Sequence, residues 1–135
     1  MAEIRIYNPK SLGDPLGQYG QITRVKASEF LFIAGQLATD GAGNIVGEGD
    51  VDAQCGQIFA NIRSALESAD ASWRNVIQFT TYMVHSQHIP LFMNYRLREF
   101  PRFFPDGAYP PNTLLIIDRL VKEPCLIEVQ AVAAL

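Results

Sequence analysis

The strongest candidate for acid–base chemistry is Glu128, the only charged residue in the apolar segment LIEVQAVAA, residues 126–134. The segment alternates as a strand does, so Glu128 shares one face with Gln130 and Val132. A carboxylate in such a strand is costly to bury unless it is paired or functional. Partial desolvation would raise its pKa toward the range useful to a general acid or base. An edge-strand glutamate facing water, or one held in a structural ion pair, would fit the same pattern.

A second candidate is Asn112, a small polar residue between the proline-rich stretch AYPP and the apolar run TLLII. The prolines rigidify a loop, and the apolar run predicts a strand over residues 113–117. Binding residues are concentrated on loops that a rigid scaffold positions. The junction therefore makes Asn112 a candidate to bind a small ligand.

The remaining reactive side chains carry weaker signals. His85 and His88 are three residues apart on a non-helical segment without a neighbouring carboxylate or thiol, so we expect no metal site. Cys55 and Cys125 have no partner at ligand spacing, which favours two core thiols in a reducing compartment. Tyr19 lies in a Gly/Pro-rich loop and could form a pocket wall or pack within the loop. No nucleophile elbow, phosphate-binding glycine loop or CxxC pair occurs, and no cofactor is expected.

Length and charge narrow the function further. The 135 residues suit one domain, residues 1–135, and the net charge is −3, from 11 Lys+Arg against 14 Asp+Glu. Nucleic-acid binding is therefore not expected, and Arg96, Arg98 and Arg102 are interpreted as a solvated helix face. No apolar run approaches the roughly 20 residues that span a membrane, so no membrane partner is expected. The N-terminus MAEIRIYN lacks a signal-like pattern, which favours a cytoplasmic location.

Periodicity predicts the element order β-β-β-α-β-α-β-β. Short apolar or β-favouring runs predict six strands, over Glu3–Tyr7, Ile22–Lys26 and residues 30–34, 76–85, 113–117 and 126–132. We interpret the second and third of these strands as a hairpin.

Two segments have helical spacing. The first has Asp50 or Asp52 as its N-cap and an apolar face that consists of Cys55, Ile58, Phe59, Ile62, Leu66 and Ala69. The second starts at Pro90, ends or kinks at Pro101, and has an apolar side that consists of Phe92, Met93, Leu97 and Phe100.

Each helix links two strands, which predicts an α+β fold with both helices on one face of a single sheet. The strands are apolar on both faces, whereas two helices can cover only one. A chain this short has nothing left to cover the other face. We therefore expect an oligomer in which sheets pack together and leave small-molecule clefts between subunits.

Seven ordered stretches between about residues 14 and 134 resemble the reactive intermediate deaminase family, also called the YjgF or Rid family. They are LGQYGQ, LFIAGQLATD, GDVDAQCGQIFANI, NVIQFTTYMV, the helix position Asn94, PPNT and LIEVQAVAA. The resemblance implies a chorismate-mutase-like fold and a homotrimer with three clefts between subunits. It also implies hydrolysis of enamines or imines, such as 2-aminoacrylate, to 2-oxo acids and ammonia, without a metal or cofactor.

In that family an arginine grips the substrate carboxylate and a glutamate positions or activates the attacking water. The resemblance places the glutamate at Glu128, the cleft tyrosine at Tyr19 and the helix asparagine at Asn94. The glycine of the S-G-Q motif falls on Gly35, and the serine of that motif is replaced by Ala34.

The arginine of the family's P-A-R-S motif falls on Asn112, and the cysteine two residues beyond it falls on Leu114. An amide is neutral and cannot give the charged, two-pronged grip of a guanidinium. Arg119 lies too far along the strand to fill the same position, so Arg24 or an arginine of the second helix would have to enter from a neighbouring subunit. We therefore expect slow hydrolysis of 2-aminoacrylate-like substrates.

Two functions remain open at this point. One is a divergent deaminase acting on a small enamine, imine or related reactive metabolite. The other is a non-catalytic trimer that holds a small molecule or a protein partner in the same cleft, which the loss of the arginine and the serine favours. A ribonuclease is the weakest interpretation, because the chain is acidic and offers no histidine acid–base pair.

Overall fold

The computed structural model describes residues 1–135 and confirms the predicted order of strands and helices. The strands and helices are β1 (Glu3–Tyr7), β2 (Ile22–Lys26), β3 (Phe30–Gln36), α1 (Val51–Glu67), β4 (Val76–Met83), α2 (Ile89–Phe103), β5 (Asn112–Ile116) and β6 (Ile127–Ala134). Asn112 is the first residue of β5, so it belongs to the strand itself. The fold is α+β, as the sequence predicts.

The main sheet has four strands in the order β3-β6-β4-β5. β6 pairs antiparallel with both β3 and β4, and β4 pairs in parallel with β5. α1 joins β3 to β4 and α2 joins β4 to β5, so each helix is a crossover between parallel strands. The central position of β6 places Glu128 in the interior of the sheet rather than at an edge.

The predicted hairpin of the second and third strands is wrong. β2 pairs with β1 in a separate two-stranded ribbon, whereas β3 pairs with β6. The amides of Ser28 and Glu29 both donate to the carbonyl of Leu135, at 3.1 and 3.2 Å. These bonds to the end of β6 direct the chain from the ribbon into the main sheet.

The first helix forms as its sequence predicts. Asp50 is the N-cap, and its carboxylate accepts a hydrogen bond from the amide of Ala53 at 3.0 Å. The apolar stripe from Cys55 to Leu66 is buried against the sheet. Asp52, the other predicted cap, lies in the first turn instead and pairs with Arg98 at 2.9 Å.

The second helix has a different buried face from the one predicted. Tyr95 and Arg96 are buried with Phe92 and Phe100, whereas Leu97 is 62% exposed. Arg98 and Arg102 do lie on a solvated face, but Arg96 does not, so that interpretation of Arg96 is wrong. The helix also continues to Phe103, two residues past Pro101.

Aromatic packing explains why the end of α2 stays docked. Phe59 of α1 stacks on Tyr95 at 5.4 Å and meets Phe100 edge-on at 5.4 Å. Trp73 stacks on Phe103 at 4.5 Å. Such pairs stabilise the fold beyond the area they bury, and they hold the last turn of α2 against α1.

The face of the sheet remote from the helices is open and apolar in part. Phe32 is 80% exposed and Phe30 is 48% exposed, and exposed Leu115 of the edge strand β5 lies on the same face as its partner Tyr82. Burial alternates along β6, with Ile127 and Val129 buried and Glu128 half-buried between them. The predicted apolar character of both faces is therefore real, and nothing within the chain covers the second face.

Neither helix is long and apolar enough to cross a membrane.

Gln54 ties three loop and strand segments together from inside the core. This residue of α1 is 0% exposed and donates to the carbonyls of Gly47 and Pro124 at 3.2 and 3.1 Å. Its side-chain oxygen accepts from the amide of Leu126 at 2.8 Å. These bonds fix the entry to β6, two residues before Glu128.

We predict that Gln54→Leu lowers the free energy of unfolding by about 2–4 kcal/mol, because it leaves buried backbone groups without partners. Urea denaturation at a fixed chain concentration measures the change. Gln57→Leu on the same helix is the matched control, since Gln57 is half-buried and bonds only to the side chain of Asn61. Equal stabilities of the two variants would contradict this role of Gln54.

Candidate functional site

Glu128 and Gly35 form one contact on the open face of the sheet. A side-chain carbon added to Gly35 would lie 2.6 Å from both Cδ and Oε2 of Glu128, so any other residue there would displace the Glu128 carboxylate. The register between β3 and β6 shifts between Ile33 and Gln36, which marks a bulge at this position. The bulge, which also contains Ala34, makes room for the carboxylate of Glu128.

The carboxylate of Glu128 has no ion pair, because the three salt bridges of the chain all involve Arg98 or Arg102. Desolvation raises its pKa above the usual 4.5. The neighbouring strand position is Tyr82, whose hydroxyl donates to Gln130 at 3.3 Å on the same face. Within one chain, Glu128 therefore lies neither in a structural ion pair nor on an edge strand. What remains is a half-buried, unpaired carboxylate beside polar groups.

Asn112 lies on the opposite face of the sheet, toward the helices. It pairs in register with buried Phe79, and its side-chain oxygen accepts from the hydroxyl of Thr81 at 2.7 Å. Leu114, two residues on, packs against the same core. One chain therefore does not bring Asn112 or Leu114 onto the same face as Glu128.

Tyr19 lies in a loop that docks against the start of β5. The amide of Gly20 faces the carbonyl of Pro110 at 3.5 Å, and a carbon added to Gly20 would lie 2.7 Å from the carbonyl oxygen of Tyr109. The hydroxyl of Tyr19 accepts from the amide of Leu16 at 3.1 Å, which closes the loop on itself. These contacts hold the loop against Tyr109 and Pro110, just before β5 begins at Asn112.

Arg96, which the sequence suggested to be part of a solvated helix face, instead faces this loop from α2. Its guanidinium carbon lies 4.6 Å from the ring centre of Phe92 and 5.8 Å from that of Tyr19. The side chain is buried, and Nε and Nη1 have no hydrogen-bond partner. Burial lowers its pKa from the usual value. A signal was present, because Arg96 is four residues from both Phe92 and Phe100 and so shares their face.

The other predicted site residue, Asn94, is exposed on α2. Two surface grooves are also present, one of about 420 Å³ between α1 and α2 and one of about 690 Å³ beside the β1–β2 ribbon. Glu128, Tyr19 and Arg96 line neither of them, so we give these grooves no part in the site. No cluster of three or more His, Cys, Asp or Glu side chains is suited to hold a metal ion.

Comparison with known proteins identifies the family. Residues 10–135 match the family model described as Endoribonuclease L-PSP. A RutC family protein of Synechocystis is 30% identical over 122 residues, which cover 90% of this chain and 88% of that protein. A RutC family protein of Pyrococcus horikoshii is 32% identical over 119 residues, 88% of each chain. The chain belongs to the Rid/YjgF/L-PSP family.

Solved structures agree with this assignment. The crystal structure of the Rid protein YyfB from Yersinia pestis superposes with a TM-score of 0.87 at 27% identity and covers 98% of both chains. RidA from the Antarctic bacterium Psychrobacter has a TM-score of 0.64 at 22% identity, which supports the fold alone. The resemblance inferred from the sequence is confirmed, while the roles of individual site residues in this Rid protein stay predictions.

The raised pKa of Glu128 predicts a specific pH dependence. A carboxyl that holds its proton more tightly in the folded chain destabilises the fold as pH rises from 4.5 through its folded pKa. We therefore expect Glu128→Gln to become more stable relative to the unaltered protein as pH increases across that window. Thermal unfolding between pH 4 and 8 measures the difference, and ¹³C NMR titration of the carboxyl gives its pKa directly. A midpoint at or below 4.5 would contradict the desolvation of Glu128.

Proposed function

We propose that this Rid protein is a hydrolytic deaminase that acts on a small enamine or imine in a cleft between subunits. The observation that carries the proposal is Glu128, a half-buried carboxylate without an ion pair, held over Gly35 with a raised pKa. A carboxylate whose pKa is raised is a stronger base than an ordinary glutamate, which suits a group that takes and returns a proton. The name of the matching family model refers to a ribonuclease, but the net charge of −3 does not favour binding to RNA.

The proposed hydrolysis needs one water molecule and one side chain that carries a proton, which is Glu128. An enamine first takes a proton from solvent on carbon and becomes the iminium ion. The carboxylate of Glu128 accepts a proton from water as the water oxygen bonds to the iminium carbon, which gives a neutral carbinolamine. Glu128 then gives this proton to the amine nitrogen, the C–N bond breaks as ammonia leaves, and the hydroxyl proton returns to solvent as the carbonyl forms. Atoms and charge balance without a metal or cofactor.

Two residues argue against 2-aminoacrylate as the preferred substrate. Asn112 supplies a neutral amide at the family's arginine position, and its oxygen is engaged by Thr81. Ala34 provides no hydroxyl beside Gly35. The same departures favour the second candidate function, a trimer that binds a small molecule or a protein without catalysis.

A homotrimer is part of the proposal. Supporting it are the exposed phenylalanines of the open face and the location of Glu128 on that face while Asn112 lies on the other. A second copy would cover the apolar face and could bring residues such as Tyr19 or Asn94 of one chain toward Glu128 of another. The buried, unbridged Cys55 and Cys125 fit a cytoplasmic setting.

The activity can be tested with imines generated in situ by an amino-acid oxidase and trapped by semicarbazide. We expect the protein to compete with trapping and Glu128→Gln to lower kcat/KM by about 10²–10⁴-fold, because the proton shuttle is removed. Glu67→Gln, on an exposed residue of α1, should leave the rate unchanged. Equal rates for Glu128→Gln and the unaltered protein would refute catalysis by Glu128. Faster hydrolysis of 2-aminoacrylate than of larger imines would refute the substrate assignment.

The assembly is tested by light scattering after size exclusion. We expect a mass three times the chain mass of 15.0 kDa and a shift of Phe32→Glu toward the single chain, because the added charge would be buried between subunits. Leu97→Glu is the matched control, since Leu97 is exposed on α2 rather than on the open face. A monomeric unaltered protein, or equal effects of both variants, would contradict this interface.

A further inference from the structure

A groove of about 420 Å³ lies between α1 and α2, apart from the residues proposed for catalysis. Its volume is that of a small-molecule pocket. Phe59 and Tyr95 form part of its aromatic lining. A side-chain carbon added to Gly56 would contact nothing within 4 Å, so the space beside α1 is open. Both helices cover the face of the sheet away from Glu128, so copies that pack through the open face would leave this groove accessible.

Tyr95 presents an unpaired hydroxyl to this groove. The residue is only 4% exposed, and its ring stacks on that of Phe59 at 5.4 Å. The hydroxyl has no hydrogen-bond partner within the chain, yet it is not among the unpaired polar atoms that are closed to solvent. Burial raises the pKa of Tyr95, so the hydroxyl keeps its proton at pH 7 and can donate a hydrogen bond. Buried polar groups are normally hydrogen-bonded, so this donor is suited to a ligand atom that accepts.

Arg63 is a cation of the same groove without a carboxylate partner. The two acids of the groove, Asp52 and Glu99, both pair with Arg98, at 2.9 and 3.0 Å. Arg63 takes part in no salt bridge, and its guanidinium carbon lies 5.5 Å from the ring centre of Phe103. The ring supports one face of the guanidinium and leaves its donors free. Charge complementarity therefore favours an anionic ligand over a cationic one.

The unpaired cation and the unpaired hydroxyl lie at opposite ends of the groove. The charged residues that act on the Tyr95 hydroxyl are Asp52, Arg98 and Glu99. Arg63 lies eleven residues after Asp52 on α1, which is about 16 Å along the helix at about 1.5 Å per residue. A ligand that meets both groups must therefore be elongated, with its negative charge at one end and a hydrogen-bond acceptor at the other.

We infer that the groove between α1 and α2 binds a flat aromatic monocarboxylate that carries a hydrogen-bond acceptor at its far end. The ring system packs over Phe59 in the open space beside Gly56. The carboxylate meets Arg63, and the acceptor meets the hydroxyl of Tyr95. This ligand is not the substrate of the proposed deamination, because the sheet lies between the groove and Glu128. The inference is therefore independent of the proposed function.

Calorimetry on the assembled protein tests the site with 6-methoxy-2-naphthoate as the probe. Its ether oxygen can only accept a hydrogen bond, and 6-ethyl-2-naphthoate has the same shape without that acceptor. The amide of the probe has the same shape without the charge. We expect each of these two analogues to bind about threefold more weakly than the probe, or weaker still, because each lacks one polar interaction.

Two substitutions remove the polar groups of the site one at a time. Arg63→Met should weaken binding of the probe about threefold or more. Tyr95→Phe should make the probe and its ethyl analogue bind equally, because the donor is gone while the ring still stacks on Phe59. Arg5→Met is the matched control, since Arg5 is also an exposed cation over an aromatic ring, that of Tyr7 at 5.0 Å, but lies on the β1–β2 ribbon. It should leave the affinity unchanged.

Gly56→Leu fills the groove without weakening the helix, because leucine favours helices more than glycine does. We expect this variant to lose binding of the probe, to unfold at the same temperature as the unaltered protein or a higher one, and to hydrolyse imines at the unaltered rate. Ser64→Leu is the matched control, because it adds the same side chain at an exposed position of α1 that does not line the groove. It should keep the affinity of the unaltered protein.

The unaltered protein gives an independent signal by NMR. The probe should shift the resonances of the Tyr95 ring and the Gly56 amide and leave those of Tyr19 in place. Absence of binding, unshifted Tyr95 resonances, or equal affinities of Gly56→Leu and the unaltered protein would overturn the inference, the last because the probe would then bind elsewhere. Equal binding of the amide or the ethyl analogue would overturn the ligand class. Binding of the probe without imine hydrolysis would keep this site and refute only the deaminase.

Discussion

The alternation of side chains along β6 places apolar residues on the helix face of the sheet and Glu128 on the open face. Because β6 is paired on both sides, its backbone groups are satisfied by β3 and β4, and its side chains face either the helices or the open side. Ile127, Val129 and Ala131 supply the core under the helices, while Glu128 must face the other way. A one-residue shift in register would bury the carboxylate in the core and expose the core residues, so the register is strongly specified. Gln54 reinforces it from within, since its amide fixes the chain just before the strand begins.

Two charged side chains escape the usual rule that buried charges are paired. Glu128 is half-buried on the open face and Arg96 is buried beside α2, and the sheet lies between them. Each lowers the stability of an isolated chain, because neither has an opposite charge to offset its desolvation. A fold keeps such groups without loss where a ligand or a second subunit supplies the missing partner.

The sequence predicts the individual strands and helices of this chain better than it predicts which strands pair with each other. The order of strands and helices, an N-cap at Asp50 or Asp52 and the unusual position of Glu128 in an apolar strand all follow from periodicity and residue chemistry within short windows. The partner of β2 does not, because β2 pairs with the chain's first strand, β1, while β3 pairs with its last strand, β6, and a short window of sequence shows neither pairing. The sequence is also a poor guide to which side chains of α2 are buried, as Leu97 and Arg96 show. Hydrophobicity favours burying Leu97, yet the aromatic cluster around Phe59 fixes the rotation of the helix and buries Arg96.

Asn112 shows how the start of β5 is satisfied without a charged side chain. A long, charged side chain at this position would need space and an anion, whereas asparagine is satisfied by the hydroxyl of buried Thr81 on the adjacent strand. Arg96 lies on the same side of the sheet, on α2 and against the loop that docks on the start of β5. Glu128 and Gly35 make their contact on the other face, so the sheet separates the two groups within one chain.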